Sequence, residues 1–181
     1  MARIVANVGE LDGWLYCPRC RSDLLGDARH LTCAQCGFFT YATPKPTASA
    51  VCLEDDRVLL ARRAIEPYRG FWALPGGFVE EDEHPLDTLR REVAEEIGVE
   101  VTPRAFIGSW LDKYAAKGDP RSTLNLYWAA RVVAGEPRVS DEVSEVLWFA
   151  LDELPSEDEI AFRNVPQVLA AVVLDRDRYR M

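Results

Sequence analysis

The chain has no surplus of positive charge: 30 Asp and Glu outnumber 21 Lys and Arg, for a net charge of −9 and a pI near 4.8. Broad contact with a nucleic-acid backbone requires a basic field, so nucleic acid is disfavoured as a partner. A small anionic substrate would instead need a cation to offset local repulsion. No segment approaches the run of about 18 apolar residues that a membrane helix needs. The opening MARIVANVGELDGW has no basic start followed by an apolar run, and so does not read as a secretory leader. Internal repeats and low-complexity tracts are also missing. These absences predict a cytoplasmic protein with no membrane partner. What remains is 181 residues, 48% of them hydrophobic, enough to bury one full core beside a small module.

The module is marked by cysteine. Cys17-Pro-Arg-Cys20 and Cys33-Ala-Gln-Cys36 stand 12 residues apart, with Gly37 after the second pair. Two such knuckles offer four thiolates to one tetrahedral Zn²⁺ and read as a zinc ribbon. Two disulfides would need an oxidising compartment, and a redox site would need only one pair in a thioredoxin-like setting. With four sulfur ligands the ion keeps no open position, so its role would be structural. Arg19, Arg21, Arg29 and His30 lie in the same segment and read either as a solvated basic surface or as nucleic-acid contacts. The expected division is an N-terminal segment 1–13, a ribbon 14–40, an extended connector 41–46 carrying Pro44 and Pro46, and a main domain 47–181.

Within the main domain, Thr47 to Leu53 and Val58 to Ala61 read as a hairpin around the turn Glu54-Asp55-Asp56. Cys52 falls inside the first strand as a small buried hydrophobe. Arg62 and Arg63 close the second strand, one to each face, as surface residues or a phosphate contact. Trp72 and Leu74 are expected in the core. Val101 to Trp110 and Thr123 to Val133 read as strands, joined by the polar connector LDKYAAKGDPRS. That connector is a candidate substrate loop through Lys113, Tyr114, Lys117 and Arg121. Val165 to Leu174 gives a closing amphipathic helix.

The most informative stretch is GGFVEEDEHPLDTLRREVAEEIGV, residues 76–99. Pro85 suits a first helical turn, Leu86, Leu89, Val93 and Ile97 recur at helical spacing, and Gly98 supplies a stop. On a 3.6-residue wheel that stripe spans roughly 80°, with Glu92 and Glu96 on one flank and Glu95 nearly opposite. Three carboxylates in the last turns repel one another and the negative end of the helix dipole, each effect amounting to a few tenths of a kcal/mol or more. A hard divalent cation answers this, since Mg²⁺ takes carboxylate oxygens and leaves positions for phosphates. A solvated acidic face partnered by Arg90 and Arg91 is the plainer reading.

The flanking residues weigh against the plainer reading. Gly77, Glu83 and Arg91-Glu92-Val93-x-Glu95-Glu96-x-Gly98-Val99 match the Nudix box, G-x(5)-E-x(7)-R-E-U-x-E-E-x-G-U, at all nine specified positions. The chain thus resembles the Nudix hydrolases, and the resemblance implies an α/β fold, a Nudix α/β/α sandwich with a mixed sheet, behind the small ribbon. It implies Mg²⁺ or Mn²⁺ held by Glu92 and Glu96, with Glu95 an additional ligand and the Gly76 carbonyl a contributor, and Glu83 as an orienting carboxylate held by Arg91. Where many members have Gly, this chain has Asp82, which puts the loop conformation in question. Nudix enzymes commonly draw a further carboxylate, as ligand or general base, from the region of Ser140 to Glu145; Glu142 is the first choice and Glu145 the second.

Some Nudix hydrolases carry such a ribbon followed by a segment like Tyr41-Ala-Thr-Pro-Lys-Pro, so the resemblance covers most of the chain. It implies a small-molecule nucleoside diphosphate derivative as substrate, ADP-ribose-like, FAD or another dinucleotide, cleaved to a nucleoside monophosphate. The SQPWPFP-like signature of the NADH pyrophosphatases is absent, and Tyr114, 16 residues past Gly98, only loosely matches dinucleoside polyphosphate hydrolases. A homodimer is compatible with the sequence. Two other functions share the architecture: an inactive Nudix sensor or nucleic-acid-binding protein using the ribbon, and a hydrolase of damaged nucleoside triphosphates. All four box carboxylates are present, which favours an enzyme.

Overall fold

A computed structural model describes residues 9–114 and 121–179; of the candidate loop residues, Lys117 lies outside them. The described chain divides between Pro44 and Lys45 into two compact units, with Lys113 and Ser122 grouped with the first and Thr123 onward with the second.

The first unit is a three-stranded sheet, β1 (Leu25–Gly26), β2 (His30–Thr32) and β3 (Phe39–Tyr41), in the order β1-β2-β3. Its two cysteine knuckles repeat one geometry. Cys17 N–H donates to Ser22 O (2.8 Å) and Cys33 N–H to Phe38 O (2.7 Å), while Arg21 N–H and Gly37 N–H return to Cys17 O and Cys33 O. The equivalent residues Arg21 (φ 63°) and Gly37 (φ 70°) both adopt the left-handed conformation that closes each turn. The buried core is small: Leu11, Leu24 and Leu31 around Cys17 and Cys33.

The second unit is built on β4 (Lys45–Glu54), β5 (Arg57–Arg63), β6 (Trp72–Ala73), β7 (Gly76–Phe78), β8 (Glu100–Lys113), β9 (Ser122–Ala134) and β10 (Val143–Ala150). The strand path is β10-β5-β4-β9-β8, with β6 paired to β5 and β7 to β4. The sheet is mixed, as expected: β4 runs antiparallel to β5 and parallel to β9, in the register Lys45↔Thr123 to Cys52↔Ala130. Asp55 turns the β4–β5 hairpin at φ 52°, a conformation that Asp tolerates. Helices α1 (Pro85–Ile97) and α2 (Asn164–Leu174) cover opposite faces. Val51, Leu53, Leu60, Tyr127 and Ala129 pack with α2, whereas Ala50, Cys52, Leu59 and Ala130 pack with α1. Being covered on both sides explains why β4 reads as a continuous run of small and apolar residues.

Several bounds differ from expectation. The extended connector 41–46 shortens to 42–44, because Tyr41 ends β3 and Lys45-Pro46 begin β4. The connector after Trp110 shortens too, since β8 continues through Lys113 and β9 starts at Ser122. A short helix α3 (Arg176–Tyr179) follows α2. In α1, Thr88 is fully buried and Leu86 only half-buried, because Thr88 turns inward to a polar partner described below. No helix among the described residues is long and apolar enough to cross a membrane.

Candidate functional site

The site grows out of α1 and the loop before it. His84 caps the helix, its Nδ1 accepting from Leu86 N–H (3.2 Å), Pro85 takes the first helical position, and Gly98 stops the helix at φ 71°. Asp82, where the resemblance left the loop in doubt, sits at φ 65°: the left-handed turn that glycine favours is kept by an aspartate. Ahead of the loop, β7 lies along β4 with Gly76 opposite Ser49. A Cβ on Gly76 would run into the Ala48 carbonyl and Ser49, and a Cβ on Gly77 would run into the Glu92 carboxylate. The paired glycines are therefore dictated by close approach.

Arg91 organises the carboxylates. Its Nε and Nη2 each donate to Glu83 at 2.9 Å, a two-pronged contact, and its Nη1 donates to Glu92 (2.9 Å) and Glu95 (3.2 Å). The Thr88 hydroxyl adds a 2.6 Å bond to Glu83. With Arg91 and Thr88 both on its oxygens, Glu83 is held down to a pKa of about 2. Glu92 moves the other way: burial raises its pKa despite the bond from Arg91. Glu96 is the extreme case, pushed up to about 8 by burial, although Gly76 N–H donates to its Oε2 at 2.9 Å. Glu95 is exposed. The plainer reading of the acidic run is thus partly met by Arg91, while Arg90 turns to Asp87 (2.9 Å).

A divalent cation fits this arrangement. Glu92 and Glu96 are partly withdrawn from water, the charge of Glu92 raises the proton affinity of Glu96, and the pair lacks a full positive counterpart because Arg91 is shared with Glu83 and Glu95. Mg²⁺ or Mn²⁺, which take hard oxygen ligands, would supply that charge. Gly76 meets the site through its amide, which donates to Glu96.

Glu142 stands where its charge reaches both Glu92 and Glu96. Its backbone carbonyl accepts from Ala64 N–H at 2.8 Å, just past β5. Glu145 instead pairs with Arg62 at 3.3 Å, so the first choice and not the second is brought to the acidic group. Arg63 is the β5 arginine whose charge bears on Glu96, while its Nε donates to Pro67 O (2.7 Å). Spacing did not reveal Thr88, for which the available signal was a hydroxyl residue inside the apolar stripe, five positions after Glu83; Arg63 reads alongside Arg62 as a surface residue or phosphate contact, and spacing does not show its bearing on Glu96. Of the candidate loop residues, Lys113 Nζ lies 3.1 Å from the Ser122 hydroxyl, and the Arg121 guanidinium lies 5.0 Å from the centre of the Tyr114 ring.

The four cysteines form a second site. Their Sγ atoms all lie within 4.8 Å of one another, with Cys17 to Cys36 at 3.5 Å and Cys20 to Cys33 at 3.4 Å. These separations are far beyond a disulfide bond of about 2.05 Å. They are close to the roughly 3.8 Å edge of a sulfur tetrahedron with Zn–S near 2.3 Å. Among the described residues this is the one group of three or more potential ligands whose donor atoms converge.

Comparison with known proteins follows the same division. The NUDIX domain family profile matches residues 43–169. An ADP-ribose pyrophosphatase of Methanocaldococcus jannaschii is 30% identical over 116 residues, 64% of this chain and 67% of that protein. The NAD-capped RNA hydrolase NudC of Pseudomonas aeruginosa is 35% identical over 144 residues, 77% of this chain but 49% of the relative, so the chain spans about half that protein's length. Among solved structures, a NUDIX hydrolase from Nitrosomonas europaea superposes with a TM-score of 0.73 at 26% identity, covering 91% of this chain and 93% of that one. A MutT NUDIX hydrolase from Burkholderia pseudomallei gives 0.64 at 28% identity, covering 72% and 98%.

Proposed function

The chain belongs to the NUDIX domain family of nucleotide pyrophosphohydrolases, and from that membership we propose that it hydrolyses the diphosphate bond of a nucleoside diphosphate joined to another moiety, releasing a nucleoside monophosphate. ADP-ribose-like compounds lead, followed by FAD and other dinucleotides. The relative named as an NAD-capped RNA hydrolase adds nucleotides whose second moiety is an RNA chain. The observation that carries the reading is the pair Glu92 and Glu96, one turn apart, with burial raising both. A carboxylate withdrawn from water without a full counter-charge suits a cation-binding role better than a solvated helix face.

Glu92 and Glu96 would hold Mg²⁺ or Mn²⁺, with Glu95 and the Gly76 carbonyl as further ligands. When bound there, the cation neutralises the diphosphate and makes water more acidic. The chain's own residues do the rest. Gly76 N–H fixes one Glu96 oxygen, leaving the other for the site. Arg91 and Thr88 hold Glu83 ionised and in place, so that it can orient water or a ligand sphere without itself taking a proton. Glu142, reaching the same acidic group, is assigned as the base whose carboxylate accepts the proton of the attacking water. The cysteine site is assigned to structural Zn²⁺, four soft thiolates being suited to it. We place the protein in the cytoplasm, where those thiols stay reduced.

The deciding experiment offers the purified chain ADP-ribose, FAD, NADH, diadenosine polyphosphates, NAD-capped RNA and nucleoside triphosphates with Mg²⁺ or Mn²⁺. Turnover of a diphosphate-linked compound to a monophosphate is expected. If none is cleaved with either ion, or if only nucleoside triphosphates are, the reading is overturned.

A further inference from the structure

The ribbon has an open aromatic face that the hydrolytic site does not use. β2 and β3 pair His30 with Tyr41 and Thr32 with Phe39. Strand alternation buries Leu31 toward the cysteines and turns His30, Phe39 and Tyr41 to the opposite side. Phe39 is 64% exposed and Tyr41 62%. Their rings stand 5.9 Å apart edge to face, and the His30 ring lies 6.2 Å from Tyr41. A cavity of about 410 Å³ opens among these rings and Phe38, and the Arg19 guanidinium lies 5.3 Å from the centre of the Phe38 ring.

Charge is distributed to match. The protein has 30 acidic residues, yet none falls between Ala28 and Pro44, a segment that carries Arg29 and His30. Among the described residues no carboxylate lines the cavity; Asp27 holds the His30 imidazole at 3.3 Å. Ring faces flanked by cations and hydroxyls suit a planar, anionic ligand. A net charge of −9 removes the wide basic field that a duplex needs, but not a site a few nucleotides long.

We propose that the exposed β2–β3 face of the ribbon, centred on Phe39 and Tyr41, is a stacking site for unpaired bases of single-stranded RNA. The choice of RNA rests on the proposed activity, in which an RNA chain is one form of the second moiety. The stacking chemistry stands without it.

The test titrates the zinc-loaded full chain against a fluorescent RNA of about ten nucleotides carrying no cleavable cap, with ADP-ribose hydrolysis measured separately. Binding is expected to saturate, to weaken with salt, and to fall about tenfold or more in the Phe39→Leu/Tyr41→Leu protein, which keeps apolar bulk but loses the ring faces. ADP-ribose turnover should be unchanged. Tyr41→Trp retains a ring and should bind at least as tightly as the parent. The proposal is overturned by absent binding, by equal binding in the leucine variant, by weaker binding in Tyr41→Trp, or by sedimentation showing that this face instead joins two copies. Loss of hydrolysis with RNA binding intact would count against the proposed activity alone.

Discussion

Arg91 binds Glu83 through two nitrogens and still reaches Glu92 and Glu95, so one guanidinium serves three carboxylates. Glu96 is left with a backbone amide and carries the largest consequence of burial among the carboxylates, a pKa of about 8 against an ordinary 4.5. The folded state therefore keeps a proton that the unfolded chain has already released. Stability of the metal-free protein should be intact below about pH 4.5, decline as pH rises, and reach its full deficit above about pH 8. Glu96→Gln removes that titration. Thermal melts of the metal-free variant should match the parent near pH 4.5 and exceed it at pH 8, while hydrolysis of the best substrate falls about 100-fold or more. Parent-like activity in that variant would show that the carboxylate is not a ligand. Thr88 belongs to the same group of contacts: it looks like an ordinary buried helix residue, but its hydroxyl is spent on Glu83.

Helix α1 works because of what lies against it. Leu89, Val93 and Ile97 are fully buried and anchor it to the sheet, which fixes the direction in which Glu92 and Glu96 point. β7 then passes so close that a side chain at Gly77 would collide with the Glu92 carboxylate. Gly77→Ala tests this contact between elements. The Glu92 carboxylate is the far end of a flexible side chain and can swing aside, so the melting temperature should move little. A ligand displaced by about 1 Å is costly for chemistry, roughly 100-fold in rate, and Mn²⁺ affinity should weaken about tenfold or more. Titration of Mn²⁺ followed by its spin resonance reads the second effect directly; an unchanged affinity would mean that β7 does not position Glu92.

The molecule divides its stability between two unequal units. The sheet domain has two cores, one on each face, and needs no ion to bury them. The ribbon has three leucines and two cysteines at its centre, too little apolar surface to hold a segment of that length without a cross-link or metal. Zinc removal should therefore act on one unit. Hydrogen exchange after chelation under reducing conditions should show the amides of Cys17, Arg21, Cys33 and Gly37, now bonded across the knuckles, losing protection, while the amides of β4 and β9 keep theirs. Full protection of the knuckles in a zinc-free, reduced preparation would show that the metal is not what folds them.

Helix bounds, the capping proline and glycine, the flank shared by Glu92 and Glu96, and the paired cysteines were all legible in the order of residues, because each depends on neighbours within a turn or two. The α/β/α arrangement followed from matching a motif of fixed spacing and is seen in the cores on the two sheet faces. Where the reading fell short, distance along the chain was the reason. The parallel register of β4 with β9 joins segments nearly eighty residues apart, and no local pattern encodes it. That Glu145 pairs with Arg62 across β5 and β10 could not be read from spacing either. The raised proton affinity of Glu96 came from burial and from the neighbouring charge of Glu92, against the bond from Gly76 N–H, a consequence of packing. Spacing along one helix sets which side chains share a flank, but the desolvation that raises their proton affinity arises only when strand, loop and helix close around them.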